Sequence, residues 1–351
     1  MKDPLFEPLQ AGALKFSNRI IMAPLTRCRA SEGRVPNELM AEYYGQRSGF
    51  GMILSEANSV DAMGVGYPDT PGIWSEEQVA GWKAITERVH QDGGVILSQL
   101  WHVGRMSDSV YLDGKLPVSS SAIAPAGHVS LIRPEKSFVE PRALTVAEIK
   151  EVVQQYKLGA LNAKKAGFDG VEIHGANGYL IDQFLQDSTN KRDDEYGGSI
   201  GNRMRFMLEV VDAVIDVWGA DRVGMHLAPR ADAHDMGDSD LPAVFTAVAN
   251  ELGMRGLAFL CARENFDEPP LGPSLKESFG GVYIANENFT DEKAREVISA
   301  GKADAVAFGK LAIANPDLVE RFRQGAELNE PNPKTFYASG PEGYIDYPFL
   351  G

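Results

Sequence analysis

The 351-residue sequence has few cysteines, a deficit of basic residues and no long hydrophobic run. Its two cysteines, Cys28 and Cys261, lie far apart, which argues against a disulfide scaffold and favours a reduced, cytoplasmic protein. The 34 lysines and arginines stand against 49 aspartates and glutamates. The resulting net charge of −15 is unsuited to nucleic acid or to an anionic membrane surface. No run reaches the roughly 18 apolar residues of a membrane span, and we expect no secretory leader in residues 1–12.

What the sequence does contain is a regular alternation of two patterns. Eight short apolar runs are typical of strands buried on both faces of a parallel sheet; they cover 19–23, 51–55, 95–100, 170–174, 223–227, 257–260, 281–285 and 305–308. Stretches of helical periodicity lie between them, among others 77–91, 146–166, 203–218, 243–254, 291–300 and 316–324. This alternation predicts an α/β fold, a (β/α)8 TIM barrel that occupies residues 1–351 as a single domain.

One connection is longer than the others. Residues 104–142, after the third strand, are rich in proline, serine and glycine, which predicts a functional loop at the carboxyl end of the barrel. Thr145 and Glu148 form a capping-box pattern that predicts the start of the next helix. The last residues, 329–351, are expected to wrap around the barrel.

The fourth strand ends in an unusual set of polar residues. His174 and Asn177 can each donate a hydrogen bond to one carbonyl or nitro oxygen, which would stabilise developing negative charge. Tyr179 suits proton donation near neutral pH, because a phenol has a pKa near 10. The residues alone leave open a plainer interpretation, in which His174 is a satisfied core histidine and Tyr179 packs.

A second polar cluster follows the seventh and eighth strands. Asn286, Asn288, Gly309 and Lys310 lie where TIM barrels commonly bind a phosphate with backbone N–H groups and a cation. An ordinary strand-to-helix turn with a surface lysine remains the alternative.

Several motifs in a fixed order resemble the Old Yellow Enzyme family of FMN-dependent ene-reductases. They span nearly the whole chain and comprise 18–27, 64–68, 99–102, 170–180, 192–203, 307–309 and 314–318. Within the family the sequence looks most similar to bacterial xenobiotic and nitroester reductases and N-ethylmaleimide reductases.

The resemblance implies tightly but non-covalently bound FMN and a role for each matching residue. The flavin ring would contact Pro24, Leu25, Thr26 and Ala57, with Gln99 at its pyrimidine edge and the phosphate held by Asn286, Asn288, Gly309 and Lys310. His174 and Asn177 would bind the substrate and Tyr179 would donate the proton. Tyr67 and Trp101 would shape the substrate pocket, and Arg142 could close over it.

Two positions depart from the commonest family pattern, and a third differs from some of its members. His226 stands where many members carry an arginine beside flavin N1, and the nearby Arg230 is an alternative source of that charge. Lys310 replaces a usual arginine, so a point charge replaces a bidentate fork. Asn177 replaces the second histidine of some relatives, and its amide cannot change charge with pH.

The resemblance implies a ping-pong cycle. NAD(P)H would reduce FMN, and an enone, maleimide, nitroalkene, nitrate ester or nitroaromatic would reoxidise it, in a monomer or homodimer without nucleic-acid or membrane partners. A phosphate-sugar aldolase or isomerase and a non-catalytic flavin-binding protein are the rival interpretations. We expect no metal; an acidic loop offers weak candidate ligands at Asp232, His234, Asp235, Asp238 and Asp240.

Overall fold

The computed structural model describes residues 3–230, 233–266 and 269–351. Eight parallel strands close into a barrel in chain order, each hydrogen-bonded to the next and the eighth to the first. The barrel strands, first to eighth, are Ile20–Met22, Met52–Ser59, Ile96–Trp101, Gly170–Gly175, Val223–Leu227, Phe259–Arg263, Val282–Asn286 and Ala305–Phe308. The predicted (β/α)8 architecture is confirmed, and every predicted strand overlaps an observed one.

Helices surround the barrel and cover the outer faces of its strands. They are Glu38–Gly45, Glu76–Gln91, Val146–Lys165, Leu180–Leu185, Ile200–Trp218, Leu241–Met254, Gly272–Phe279, Asp291–Ser299, Lys310–Ala314 and Leu318–Gln324. The predicted capping box is present, because Thr145 Oγ1 accepts from the Glu148 N–H and Glu148 accepts from the Thr145 N–H. Among the described residues, no helix is both long enough and apolar enough to cross a membrane.

The barrel strands are buried on both faces, which explains their continuous apolar runs. Outward residues such as Val171 and Ile173 pack against the helices in the larger hydrophobic cluster. Inward residues such as Leu97, Cys261 and Ile284 form a smaller cluster inside the barrel. A hairpin of Leu9–Ala11 and Leu14–Phe16 packs onto this inner cluster from the amino-terminal end.

The carboxyl end of the barrel stays open and is bordered by two long segments. The predicted loop after the third strand contains little regular structure: Val118–Ser119 pairs with Arg142–Ala143, and His128 bridges to Ser137. The C-terminal segment wraps back as expected: Arg27 donates to the Gly343 carbonyl at 2.8 Å, and the Tyr344 ring stacks on Tyr43 at 4.0 Å. This wrapping brings Phe336 and Tyr337 to the open end.

Candidate active site

A cavity of about 680 Å³ lies at the carboxyl ends of the barrel strands. Eleven of the residues assigned by resemblance line it together: Pro24, Leu25, Thr26, Gln99, His174, Asn177, His226, Asn286, Asn288, Gly309 and Lys310. They come from six different strand ends, and only the closed barrel makes them neighbours.

One end of the cavity has the chemistry of an anion site. Asn286 donates from its side chain to the Ala307 carbonyl at 2.8 Å, which ties the seventh strand to the eighth. The next two residues, Glu287 and Asn288, both have positive φ, at 108° and 54°. Such backbone is costly for glutamate and is found where a loop must approach a ligand. Lys310, at the start of its helix, adds a cation at this end.

The deep edge of the cavity holds a hydrogen-bonded polar group. Gln99 Nε2 donates to Glu172 Oε2 at 2.7 Å, and His226 Nδ1 lies 3.3 Å from the same oxygen. All three side chains are at most 3% exposed. Burial alone would lower the pKa of His226, but Cys261 and Glu172 outweigh it, so that pKa is raised well above its ordinary value.

The fourth strand supplies two donors to one wall. His174 Nδ1 accepts from the Ala176 N–H at 3.3 Å, so the proton of the neutral ring lies on Nε2. Burial, then His226 and Arg263, lowers the pKa of His174 well below 6.5 and keeps the ring neutral. Asn177 Oδ1 accepts from Arg263 Nη1 at 3.0 Å, which leaves its NH₂ group as the available donor.

The Tyr179 hydroxyl is carried by a ring that packs against His174 in an aromatic cluster. It is 2.7 Å from the Tyr67 hydroxyl, and its ring meets Trp101 and His174 edge-on at 5.0 and 5.1 Å. Burial, reinforced by Tyr67, raises the pKa of Tyr179 well above 10, so the phenol stays protonated. Ala57 packs in the same cluster. The structure therefore brings Tyr67, Trp101 and Tyr179 together next to His174.

Two expectations need correction. Arg142 does not reach the main cavity, because Glu148, fixed by the capping box, pairs with it at 2.8 Å; both line a second cavity of about 470 Å³. Arg230 does not line the main cavity either, since it is paired at 3.2 Å with the buried Glu264. Of the two candidates for the N1 charge, only His226 lies at the cavity.

Two further residues at the site were not assigned to it from the sequence. Arg263, the last residue of the sixth strand, lines the cavity and pairs with Glu287 as well as Asn177. His234 Nδ1 contacts the Asn177 carbonyl oxygen at 2.7 Å. The predicted sixth strand ended at residue 260, and extending it by three residues would have placed Arg263 among the strand-end polar residues.

The acidic loop considered for a metal has other contacts. Asp238 pairs with Arg203 at 2.8 Å and Asp240 caps the helix Leu241–Met254. Asp235 accepts from the Ala126 N–H, and Asp232 lies outside the described residues. A different group, Glu172, His226 and Cys261, has its possible ligand atoms within 4.8 Å of one another, and its polar atoms belong to the deep edge already described.

The residues present fit a flavin mononucleotide. The cavity volume falls within the roughly 300–1,000 Å³ typical of cofactor sites. A cation and a tight loop at one end suit a phosphate, polar groups at the deep edge suit a pyrimidine ring, and Pro24, Leu25 and Phe308 supply apolar surface between them.

Comparison with known proteins decides the family. Residues 4–329 match the model of the NADH:flavin oxidoreductase / NADH oxidase family. The chain belongs to this family. The chain is 42% identical to 12-oxophytodienoate reductase 7 of Oryza sativa subsp. japonica, over 99% of its own length and 95% of that protein.

Two solved structures carry the same fold. The Old Yellow Enzyme homologue from Zymomonas mobilis matches with a TM-score of 0.96 and 43% identity, over 99% of both chains. Morphinone reductase in complex with tetrahydroNAD matches with a TM-score of 0.95 and 47% identity, over 99% of this chain and 98% of that one. The Old Yellow Enzyme resemblance is confirmed. The protein is an FMN-dependent oxidoreductase that takes electrons from a reduced nicotinamide, so the aldolase and non-catalytic alternatives are wrong.

Proposed function

We propose that the protein reduces C=C bonds activated by a carbonyl or nitro group, and also nitrate esters and nitroaromatics, with NADH or NADPH as donor. The observation that carries this proposal is a neutral imidazole and an amide on one wall of the cavity, with the Tyr179 phenol packed edge-on against that imidazole.

His174 and Asn177 bind the oxygen of the activating group. Each has one hydrogen-bonding atom already occupied by the protein, Nδ1 of His174 and Oδ1 of Asn177, so each presents a donor. Two fixed donors stabilise the negative charge that grows on the oxygen as the double bond is reduced. Because neither group is charged, the site suits neutral electrophiles.

Tyr179 supplies the proton to the carbon next to the activating group. Its hydroxyl shares a hydrogen bond with Tyr67, and Tyr67 can donate so that the Tyr179 proton faces the substrate. Burial raises the pKa of both phenols, which holds both protons in place until the substrate carbon becomes basic. FMN held in the cavity would supply the hydride chemistry of a ping-pong cycle, in which the nicotinamide leaves before the oxidant binds.

The variant Tyr179→Phe tests this assignment. Enone turnover should fall by about 10²–10⁴-fold, while flavin reduction by NADPH and nitrate ester reduction should change little. Tyr67→Phe is the matched comparison, because it removes the same hydroxyl pair without removing the proposed donor. If the two variants lose enone turnover equally, Tyr179 is not the proton donor.

Binding is tested separately with the double variant His174→Ala/Asn177→Ala. Cyclohexenone and phenol should bind much more weakly, and unchanged dissociation constants would contradict the oxygen-binding role. Anaerobic titration with NADH and then NADPH identifies the preferred donor. We further propose that residues 1–351 act as one domain in the cytoplasm, as a monomer or homodimer.

A further inference from the structure

A single buried carboxylate lies beneath the deep edge of the cavity. Glu172 is 0% exposed and belongs to the same inward-facing row of the fourth strand as His174. Its Oε2 contacts Gln99 Nε2 at 2.7 Å and His226 Nδ1 at 3.3 Å. Those two side chains line the cavity whereas Glu172 does not. Glu172 therefore acts on the contents of the cavity through Gln99 and His226.

Contact with one carboxylate selects the orientation of both neighbours. An ionised carboxylate only accepts hydrogen bonds, so Gln99 turns its NH₂ toward Glu172 and keeps Oε1 for the cavity. For the same reason His226 carries a proton on Nδ1, and Nε2 is left for other contacts. The cavity edge therefore presents an acceptor from Gln99 next to the imidazole of His226.

The groups packed around His226 favour its charged form. Glu172 approaches from the fourth strand and the Cys261 thiol from the sixth, and the pKa of His226 is raised despite burial. Burial also raises the pKa of Cys261 and keeps it a neutral thiol, so the anion that favours the charged imidazole is Glu172. His174, whose ring centroid is 5.9 Å away, stays neutral, and Arg263 is engaged with Glu287. A charged His226 donates from Nε2 as well as from Nδ1.

Stability alone does not account for this carboxylate. Glu172 Oε1 has no hydrogen-bond partner among the described residues, although the side chain is fully buried. A half-satisfied buried carboxylate costs free energy, and such groups are retained where they serve a site.

We propose that Glu172 is a positioning residue for the flavin: through Gln99 it presents an acceptor, and through His226 a cationic donor, to the pyrimidine edge of the ring. The inference rests on the proposed placement of FMN. That edge has an N–H for the acceptor, and a carbonyl and ring nitrogen where negative charge collects on reduction. The Glu172–His226 pair thus supplies the fixed charge that an arginine would otherwise provide.

The isosteric variant Glu172→Gln removes the anion and keeps the shape. Apoprotein prepared from it should bind FMN about tenfold more weakly, because a charge-assisted hydrogen bond is lost. The midpoint potential of the bound flavin should fall, and the sulfite dissociation constant should rise about tenfold, because both report positive charge at the pyrimidine edge. None of these readouts involves an oxidant or Tyr179, so they fail or succeed independently of the proposed reaction.

Two further variants separate charge from packing. Cys261→Ser alters the other neighbour of His226 without removing an anion, and it should leave the potential and sulfite affinity close to those of the native protein. In a His226→Arg variant the guanidinium is cationic whether or not an anion lies next to it. Adding Glu172→Gln to this variant should therefore lower the midpoint potential less than Glu172→Gln lowers it in the native protein. Equal shifts in both backgrounds, or the same shift from Cys261→Ser, would overturn the proposal.

A direct measurement on the unaltered protein covers the case in which Glu172→Gln does not fold. The ¹⁵N chemical shifts of His226 in selectively labelled holoenzyme report which ring nitrogens carry protons. We expect protons on both nitrogens at pH 7, in the oxidised and the reduced enzyme. A neutral ring with an unprotonated Nδ1 would refute the role of Glu172.

Discussion

Arg263 is expected to control oxidant binding by holding the Asn177 amide in its donating orientation. Its Nη1 donates to Asn177 Oδ1 at 3.0 Å, and its Nε pairs with Glu287. We expect Arg263→Met to keep the apolar stem and remove this bond, so that the amide can rotate and present its oxygen to the substrate.

The magnitude follows from the exposure of the arginine. A hydrogen bond to a charged group contributes about 1.5–3 kcal/mol when buried, but the Arg263 side chain is 40% exposed, so solvent screens part of the effect. We therefore expect a loss of about 1 kcal/mol, or about a fivefold increase in the oxidant dissociation constant. Turnover at saturation should change less, because Tyr179 and the hydride path are untouched.

A double-mutant cycle with Asn177→Ala isolates this effect. In the Asn177→Ala background, Arg263→Met should cause no further loss of cyclohexenone affinity, because the amide that it positions is already gone. Arg230→Met is the matched control, since Arg230 is similarly exposed, lies three residues after the neighbouring strand and pairs with Glu264 away from the cavity. Additive losses in the double variant would show that Arg263 acts through its charge alone and would refute the reasoning.

Two further predictions concern the scaffold. Gly224→Ala places a methyl group 2.1 Å from the Phe259 ring inside the barrel. In denaturant unfolding it should destabilise the protein by about 1–3 kcal/mol. Gly201→Ala is the control: it lies on an open helix surface and should be neutral or stabilising. Burial raises the pKa of Asp182 from 3.8 to about 7. Between these two values the folded state holds a proton that the unfolded state releases. The stability that this group contributes is therefore lost as pH rises through about 7. The free energy of unfolding relative to Asp182→Asn should therefore decrease between pH 5 and pH 8, and a constant difference would contradict the shifted pKa.

The barrel could be predicted because its strands are short and buried on both faces. Each produces an apolar run that the sequence shows directly, and eight runs alternating with helices suit one closed architecture. The helices Glu38–Gly45 and Gly272–Phe279 were not predicted, because each has only eight residues and too few turns to establish a periodicity.

The site was predicted unevenly, for a related reason. Residues such as His174, Asn177 and Gln99 lie in long motifs whose family resemblance assigns them roles. Arg142 was wrongly expected to close over the cavity. Its side chain pairs with Glu148, six residues later in the sequence, and this ion pair holds it away from the cavity. Arg263 was missed because an arginine that ends a short strand has the same local pattern as a surface residue.

Glu172 shows which part of the site a sequence pattern can still reveal. Alternation along a barrel strand places residues two apart on the same side, so a histidine at the mouth implies that Glu172 lies inward one layer below. The same alternation places Gly224 below His226 and Cys261 below Arg263. The pattern does not reveal the contacts across strands, because these depend on the register. Glu172 is level with Gln99 on the third strand and with Gly224, which has no side chain, on the fifth. The space that a side chain at position 224 would fill is taken by the Phe259 ring, so the contact of Glu172 with the fifth strand comes from His226, one layer above.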